Sequence, residues 1–542
     1  QSNLVVFSTN VYTLSFYAKA DRNISINVQL GMDHDPWNIL GFNQLINLTT
    51  YYQYFTFTLM PSADDTNARI CFTNMCRELA TYYFSNISFK KGGSIGLLEG
   101  ENLDQKTMQI VKYSERNERT KVAQKDWVKF LFELEENFWL TMYDHLKNTI
   151  GMKCVICATA VGLNSVPSIM SKLDFVDTHS YWHHPVFPGT AWDMNNWYIR
   201  NATLVRALDG GTISECGTRR VYGKPYTVSE YNHPAPNTFS SEAFIFLSAY
   251  AAYHDWDAIY GYTYLDGKTS FDNRRIEGFF DLNQHPTQFL SFIPAALIYR
   301  RGDVSISQDK FVCVTITKED EVEQSLTTWA WRLIHANDKG LDRRISLFKK
   351  TAIITEDGPT PPSYYTPSDV SIPSNNRYIS DTNELDWDTA SGVFKIDTSR
   401  TKVVLGYVGN KTFSFSEGIQ IKPKDTLQNG WANITLSLLD EQNSFESLKN
   451  NTKSAKILLT ALGSCGNPGM NWMIYPNTPV SFPPPADVNI TVGNQWGTSP
   501  SFVEGINAEI ILPYPKNRVK VYALDNKGER MILVETQQDT ST

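Results

Sequence analysis

The run Lys224-Pro225-Tyr226-Thr227-Val228-Ser229-Glu230-Tyr231-Asn232-His233-Pro234-Ala235-Pro236-Asn237 concentrates the groups best suited to chemistry. Tyr226 to Ser229 reads as a short buried strand, rich in aromatic and β-branched residues and entered through a proline. It delivers Glu230 into a loop stiffened by Pro234 and Pro236. The carboxyl end of such a strand is where parallel α/β barrels keep catalytic groups. A helix-capping or salt-bridged glutamate is the competing reading of the same residues.

The elements that must position this strand come in two periods. Residues 1–92 alternate apolar and polar side chains, as in Tyr12-Thr13-Leu14-Ser15-Phe16-Tyr17-Ala18, Ile24 to Leu30 and Tyr52 to Leu59, which indicates an antiparallel sandwich. From about residue 93 the period changes. Ala123 to Asn148 reads as an amphipathic helix with Trp127, Phe130, Leu131, Leu134, Phe138, Met142 and Leu146 along one face. Strands are expected at Cys154–Thr159, Leu173–His179, the Glu230 segment and Ala258–Tyr264, with helices at about 241–254 and 286–299. Strands alternating with helices mean a parallel sheet with right-handed crossovers. Four such units make half of a (β/α)8 barrel, and half a barrel has two open edges. The other half is expected from an upstream segment or a second chain.

Residues 301–370 mix a strand (Phe311 to Thr317) with the tryptophan-bearing Thr327 to Trp331 and end in a proline-rich linker. Residues 371–542 return to alternation and read as a β-sandwich. Together these segments give a multidomain α/β plus all-β chain with bounds at 1–92, 93–300, 301–370 and 371–542.

Composition narrows the partners. A net charge of -8, with no basic run, argues against nucleic acid. The 13 Trp, 27 Tyr and 29 Phe suit a carbohydrate partner through ring stacking, although aromatics also build ordinary cores. No apolar run reaches membrane-spanning length. The chain starts at Gln1 without a leader pattern, so a processed product is expected. Eight Asn-x-Ser/Thr sequons, at Asn23, Asn47, Asn86, Asn201, Asn410, Asn433, Asn450 and Asn489, are candidate glycosylation sites and would mark a secretory route. Cys71 and Cys76 could close a small disulfide loop. Cys154 and Cys157 read as buried free thiols. No metal-ligand spacing and no cofactor motif is present. The Arg301-Gly302-Asp303 triplet has the form of an integrin-type signal but is short enough to occur by chance.

Tyr12 to Asp21, followed by Phe84-Ser85-Asn86-Ile87-Ser88-Phe89-Lys90, resembles the jelly-roll carbohydrate-binding modules, here without their opening strands. Gly96 to Glu101, Asp126 to Leu131, Asp174 to Pro185, Gly223 to Pro234, Ile276 to Asp281 and Ser380 to Trp387 resemble secreted retaining glycoside hydrolases of a TIM-barrel clan. In that clan the catalytic glutamates end strands four and seven. The resemblance implies a carbohydrate substrate, an extracellular location, a jelly roll interrupting the barrel, and Glu230 as the nucleophile at the end of strand seven. It further implies that Tyr181 hydrogen-bonds Glu230, a subsite wall being the other reading of Tyr181. His183, His184, Trp192, Trp197, Asn232 and His233 would line the sugar site, with loop packing as their alternative. A retaining enzyme needs a second carboxyl group about 5–5.5 Å from the first. The clan's Asn-Glu strand end has no match in a suitable context; the resemblance implies that it lies upstream of the jelly roll, on the other half-barrel, with Asp177, Glu215 and Asp266 as the alternative. A structural or glycan-binding glycoprotein on a hydrolase scaffold is the alternative function.

Overall fold

The structure, a computed structural model, describes residues 2–538 apart from 78, 94–96, 99, 161–164, 266–272, 329–338 and 451–453, and the side chains of Asn117 and Asn450. Gly96, Glu99, Asp266, Trp329, Trp331 and the Asn450 side chain therefore lie outside the described residues. Two compact units divide the chain, one of residues 1–134 and the other, in the main, of residues 135–542.

The first unit is built on strands β1 (Leu4–Val6), β2 (Tyr12–Ala20), β3 (Ile24–Met32), β4 (Ile39–Leu48), β5 (Gln53–Leu59), β6 (Asp65–Thr73) and β7 (Tyr82–Lys91). They form two antiparallel sheets, in the orders β1-β6-β3-β4 and β5-β2-β7. Period-two alternation puts Leu14, Phe16 and Ala18 of β2, with Ile26, Val28 and Leu30 of β3, into one core. Each such side chain contributes about 1.5–3 kcal/mol on burial. Beyond the sandwich, the Glu101 carboxylate lies against the Arg119 guanidinium, which holds it down at about 2. Cys71 and Cys76 are both free, which corrects the expected loop. Strand β6 runs on to Thr73, so the chain turns only after leaving the sheet and carries Cys76 into solvent.

Helix α1 (Lys121–Asp144) begins in the first unit and ends in the second. Its expected core face is not the one that packs. Phe130, Leu134, Phe138 and Met142 are 40–56% exposed, while Trp139 and Tyr143 pack on the second unit's core. Cys154–Thr159 forms no strand. Its backbone is held instead by Asp174, whose carboxylate accepts from Ile156 N at 2.9 Å. Cys154 is exposed and Cys157 only partly buried, against the expectation that both would be internal.

The second unit continues with α2 (Pro167–Met170), β8 (Val176–Tyr181), β9 (Ile199–Asn201), α3 (Gly211–Gly217), β10 (Tyr226–Asn232), α4 (Ala243–His254), β11 (Ala258–Gly261) and α5 (Pro286–Arg300). β11, β10 and β8 form a parallel sheet with β10 in the middle. Every residue of α4 is buried. Its Phe244 ring meets Tyr231 of β10 on one side, and Phe246 stacks on Phe394 at 4.4 Å on the other. A helix apolar all round must be covered all round. The outer cover is a six-stranded antiparallel sheet from Arg377–Ile379 to Ile457–Leu462. A second small sheet (residues 413–414, 420–423 and 508–511) packs on its far side around Val404, Ile421 and Ile434. Residues 473–491 do not join these sheets; they pair with β9 through Val488–Thr491.

Arg301 and Asp303 pair with each other at 2.6 Å with side chains 8% and 0% exposed, so the triplet offers no free surface signal. Asn201 and Asn433 are fully buried. Their amides donate to Pro485 O at 3.0 Å and to Ser241 O at 2.8 Å, which leaves no room for a glycan and corrects those two sites. Asn23, Asn47, Asn86 and Asn410 are exposed, and Asn489 is partly so. Among the described residues no helix is long and apolar enough to cross a membrane, and no cluster of His, Cys, Asp and Glu could hold a metal ion.

Candidate active site

Glu230 sits near the carboxyl end of the central strand β10, beside β8. The pairing with β8 skips at Ser229: Val228 faces Thr178, yet Glu230 faces His179. The pairing with β11 is irregular over the same span. A bulge re-aims side chains, and bulges are over-represented beside active sites. Here it brings both Ser229 and Glu230 to the same histidine.

The Glu230 side chain is 26% exposed. Tyr181 O–H donates to its Oε2 at 2.5 Å, and His179 Nδ1 lies 3.3 Å from the same oxygen. Burial, and then the Glu230 carboxylate, push the Tyr181 hydroxyl far above its ordinary range, so it stays a donor. The other ring nitrogen of His179, Nε2, is 2.8 Å from Ser229 Oγ and 3.3 Å from Asp177 Oδ2. His179 and Tyr181 share one face of β8 by the two-residue period, which is the signal that could have found His179 from the sequence.

The remaining candidates divide. His184 is exposed, and its ring stands edge-on to Tyr181 at 5.4 Å and to Trp192 at 6.0 Å. Trp192 is 58% exposed and forms an open aromatic wall. His183 packs on Trp182 with ring centroids at 4.3 Å, and burial pushes it down to about 4. Three residues are not sugar-lining. Trp197 is fully buried, stacked on Trp496 at 5.7 Å. Asn232 is buried, donating to Tyr262 O and Phe280 O and accepting from Gln288. His233 is buried 3.6 Å from Glu242 and has its Nε2 on Tyr231 O–H. Strand and loop packing consume all three.

Of the substitutes for the second carboxyl group, Asp177 accepts from Thr227 and Ser229 and is buried. Glu215 is tied to Arg219 and Ser180. Neither is free to approach a glycosidic oxygen.

A second set of groups lies on the outer face of the β1-β6-β3-β4 sheet. Trp37 is 55% exposed with the Arg69 guanidinium 4.9 Å from its ring. The side chains of Asn74, Asn27 and Asn43 hydrogen-bond in sequence at 2.7 and 2.9 Å. An open indole is a surface on which a pyranose ring can stack.

No protein-family model and no curated protein matches the chain. Among solved structures it is similar to a CBM4 module at 34% identity, over 17% of this chain and 59% of that one, with a TM-score of 0.15. It is also similar to the N-terminal cellulose-binding domain of Cellulomonas fimi β-1,4-glucanase C at 16% identity, over 17% and 66%, with a TM-score of 0.15. An arabinose-bound GH51 α-L-arabinofuranosidase matches at 10% identity over 90% of this chain and 83% of that one, again with a TM-score of 0.15. The chain thus spans less than two thirds of the carbohydrate-binding modules it matches. At these scores the functional reading rests on the geometry of the site.

Proposed function

We propose that this chain is the C-terminal part of a secreted retaining β-glycosidase acting on extracellular polysaccharide or glycan, with Glu230 as the nucleophile. The supporting observation is Glu230 itself: a half-open carboxylate at a strand end, with Tyr181 O–H and His179 Nδ1 on one oxygen. These contacts aim the carboxylate and leave its other oxygen for an anomeric carbon. Residues 1–92 would serve as a jelly-roll carbohydrate-binding module with Trp37 on its binding face. Residues 93–300 would be the second half of a (β/α)8 barrel, 301–370 a small β-rich domain and linker, and 371–542 a sandwich supporting α4. The acid/base glutamate would come with the other half-barrel.

The test needs only the nucleophile. In a 2-deoxy-2-fluoro glycosyl fluoride, Glu230 Oε attacks the anomeric carbon as fluoride leaves, and no acid has to assist. Peptide mapping is expected to find the glycosyl ester on Glu230 and none in Glu230→Gln. An ester on another residue, or equal labelling of the variant, would overturn the assignment.

A further inference from the structure

Behind Glu230, His179 has a second set of hydrogen-bond partners, whose catalytic consequence alone rests on the nucleophile reading. Asp177, at 4% exposure, accepts on Oδ1 from the Ser229 amide at 3.1 Å and from the Thr227 hydroxyl. Its Oδ2 accepts the Ser229 hydroxyl at 2.5 Å. A carboxylate has no proton to give, so the single hydroxyl proton of Ser229 points at Asp177. Ser229 Oγ can then only accept from His179 Nε2, 2.8 Å away, which places a proton on Nε2. The opposite nitrogen, Nδ1, is left facing Oε2 of Glu230. The pair stands at 3.3 Å, an ion pair whenever Nδ1 also carries a proton.

We propose that Asp177 and Ser229 are positioning residues: they lock His179 with Nε2–H toward Ser229 and thereby aim Nδ1 at Oε2 of Glu230. The bulge at Ser229 is what makes the lock possible, because regular alternation would send Ser229 and Glu230 to opposite faces of β10. Arg219 steadies the other side, donating to Thr178 Oγ1 at 2.7 Å and to His179 O at 3.3 Å. Tyr181 holds Oε2 from a third direction.

Nitrogen-15 NMR of the histidine side chains, with His179 assigned through His179→Gln, reads the lock directly. The chain is expected to show Nε2 of His179 protonated, with that proton in slow exchange with solvent. Ser229→Ala is expected to bring the Nε2 proton into fast exchange with solvent, Asp177→Asn to do the same, and Ser229→Thr, which keeps the hydroxyl, to restore slow exchange. Circular dichroism confirms that each variant is folded. A wild-type ring protonated on Nδ1 alone, or an unchanged spectrum in Ser229→Ala, would overturn the proposal. Fluoroglycoside labelling of Glu230 is expected to slow about tenfold in Ser229→Ala and recover in Ser229→Thr, the size of one hydrogen bond to a charged group. A chain that takes no label at all refutes the glycosidase reading, while the NMR result still decides the lock.

Discussion

Tyr181 and His179 both meet one oxygen of Glu230, and they differ in what they can lose. His179 is held from behind by Ser229 and Asp177, whereas Tyr181 O–H spends its only proton on Oε2. Tyr181→Phe removes that donor and little volume. A hydrogen bond to a charged group contributes about 1.5–3 kcal/mol, so labelling of Glu230 is expected to slow about 10–100-fold while the melting temperature moves little. A labelling rate within a factor of two of wild type would return Tyr181 to the role of subsite wall. Trp37 offers a separate residue-scale test, because it is exposed and supports no core. Trp37→Ala is expected to weaken retention of the chain in affinity electrophoresis through the soluble polysaccharide that retards the wild type, with thermal stability unchanged; equal retention would take the indole off the binding face.

How much of the chain was legible differs element by element. β2, β3 and β5 could be read from alternation because each buries one face in a local, antiparallel sheet. Cys154–Thr159 has equal strand propensity but no strand neighbour among the described residues, and pairing is a tertiary fact. The bulge at Ser229 and the pairing of residues 488–490 with β9 are of the same non-local kind. At the site, Glu230, Tyr181, His184 and Trp192 were named from the sequence, and the structure brings them together. Asn232, His233 and Trp197 were named on the resemblance, yet strand alternation and core packing turned them inward. His233 leads to a prediction about the elements it joins. Glu242, ahead of α4, is fully buried, accepts from Thr203 Oγ1, Leu204 N and Val205 N, and so ties the chain after β9 to α4. Burial outweighs those donors and pushes its carboxyl up to about 8. With the folded value raised, the folded state binds the proton more tightly. This contribution to stability is fully present below the unfolded value near 4.5 and is lost as pH rises from there through about 8. Urea midpoints are therefore expected to fall between pH 5 and pH 8, and to fall less in Glu242→Gln; a variant with the same slope as wild type would rule Glu242 out as the source.

At the scale of the whole molecule, the parallel sheet of the second unit has the order β11-β10-β8. Among the described residues β11 has a sheet neighbour only on its β10 side, and nearby apolar side chains face outward. Tyr260 and Tyr264 are 57% and 53% exposed, and Phe289, Leu290, Phe292 and Ile293 of α5 are each 40–44% exposed. The Tyr264 and Phe289 rings lie 6.4 Å apart, so the exposed groups of strand and helix adjoin. Patches of this kind mark interaction surfaces, and an open strand edge is a template for further pairing. A second half-barrel laid along β11 would cover both at once, which is why the proposed function calls for one. The chain by itself is then expected to bind a hydrophobic dye and to self-associate in sedimentation velocity runs at micromolar concentration. Phe289→Ser combined with Ile293→Ser removes exposed rather than buried surface, so it is expected to reduce dye binding and association at least several-fold without lowering the melting temperature. A double variant that unfolds would show these side chains to be core. One that folds but binds dye and associates as before would place the sticky surface elsewhere, and the argument for a missing half-barrel along β11 would lose its support.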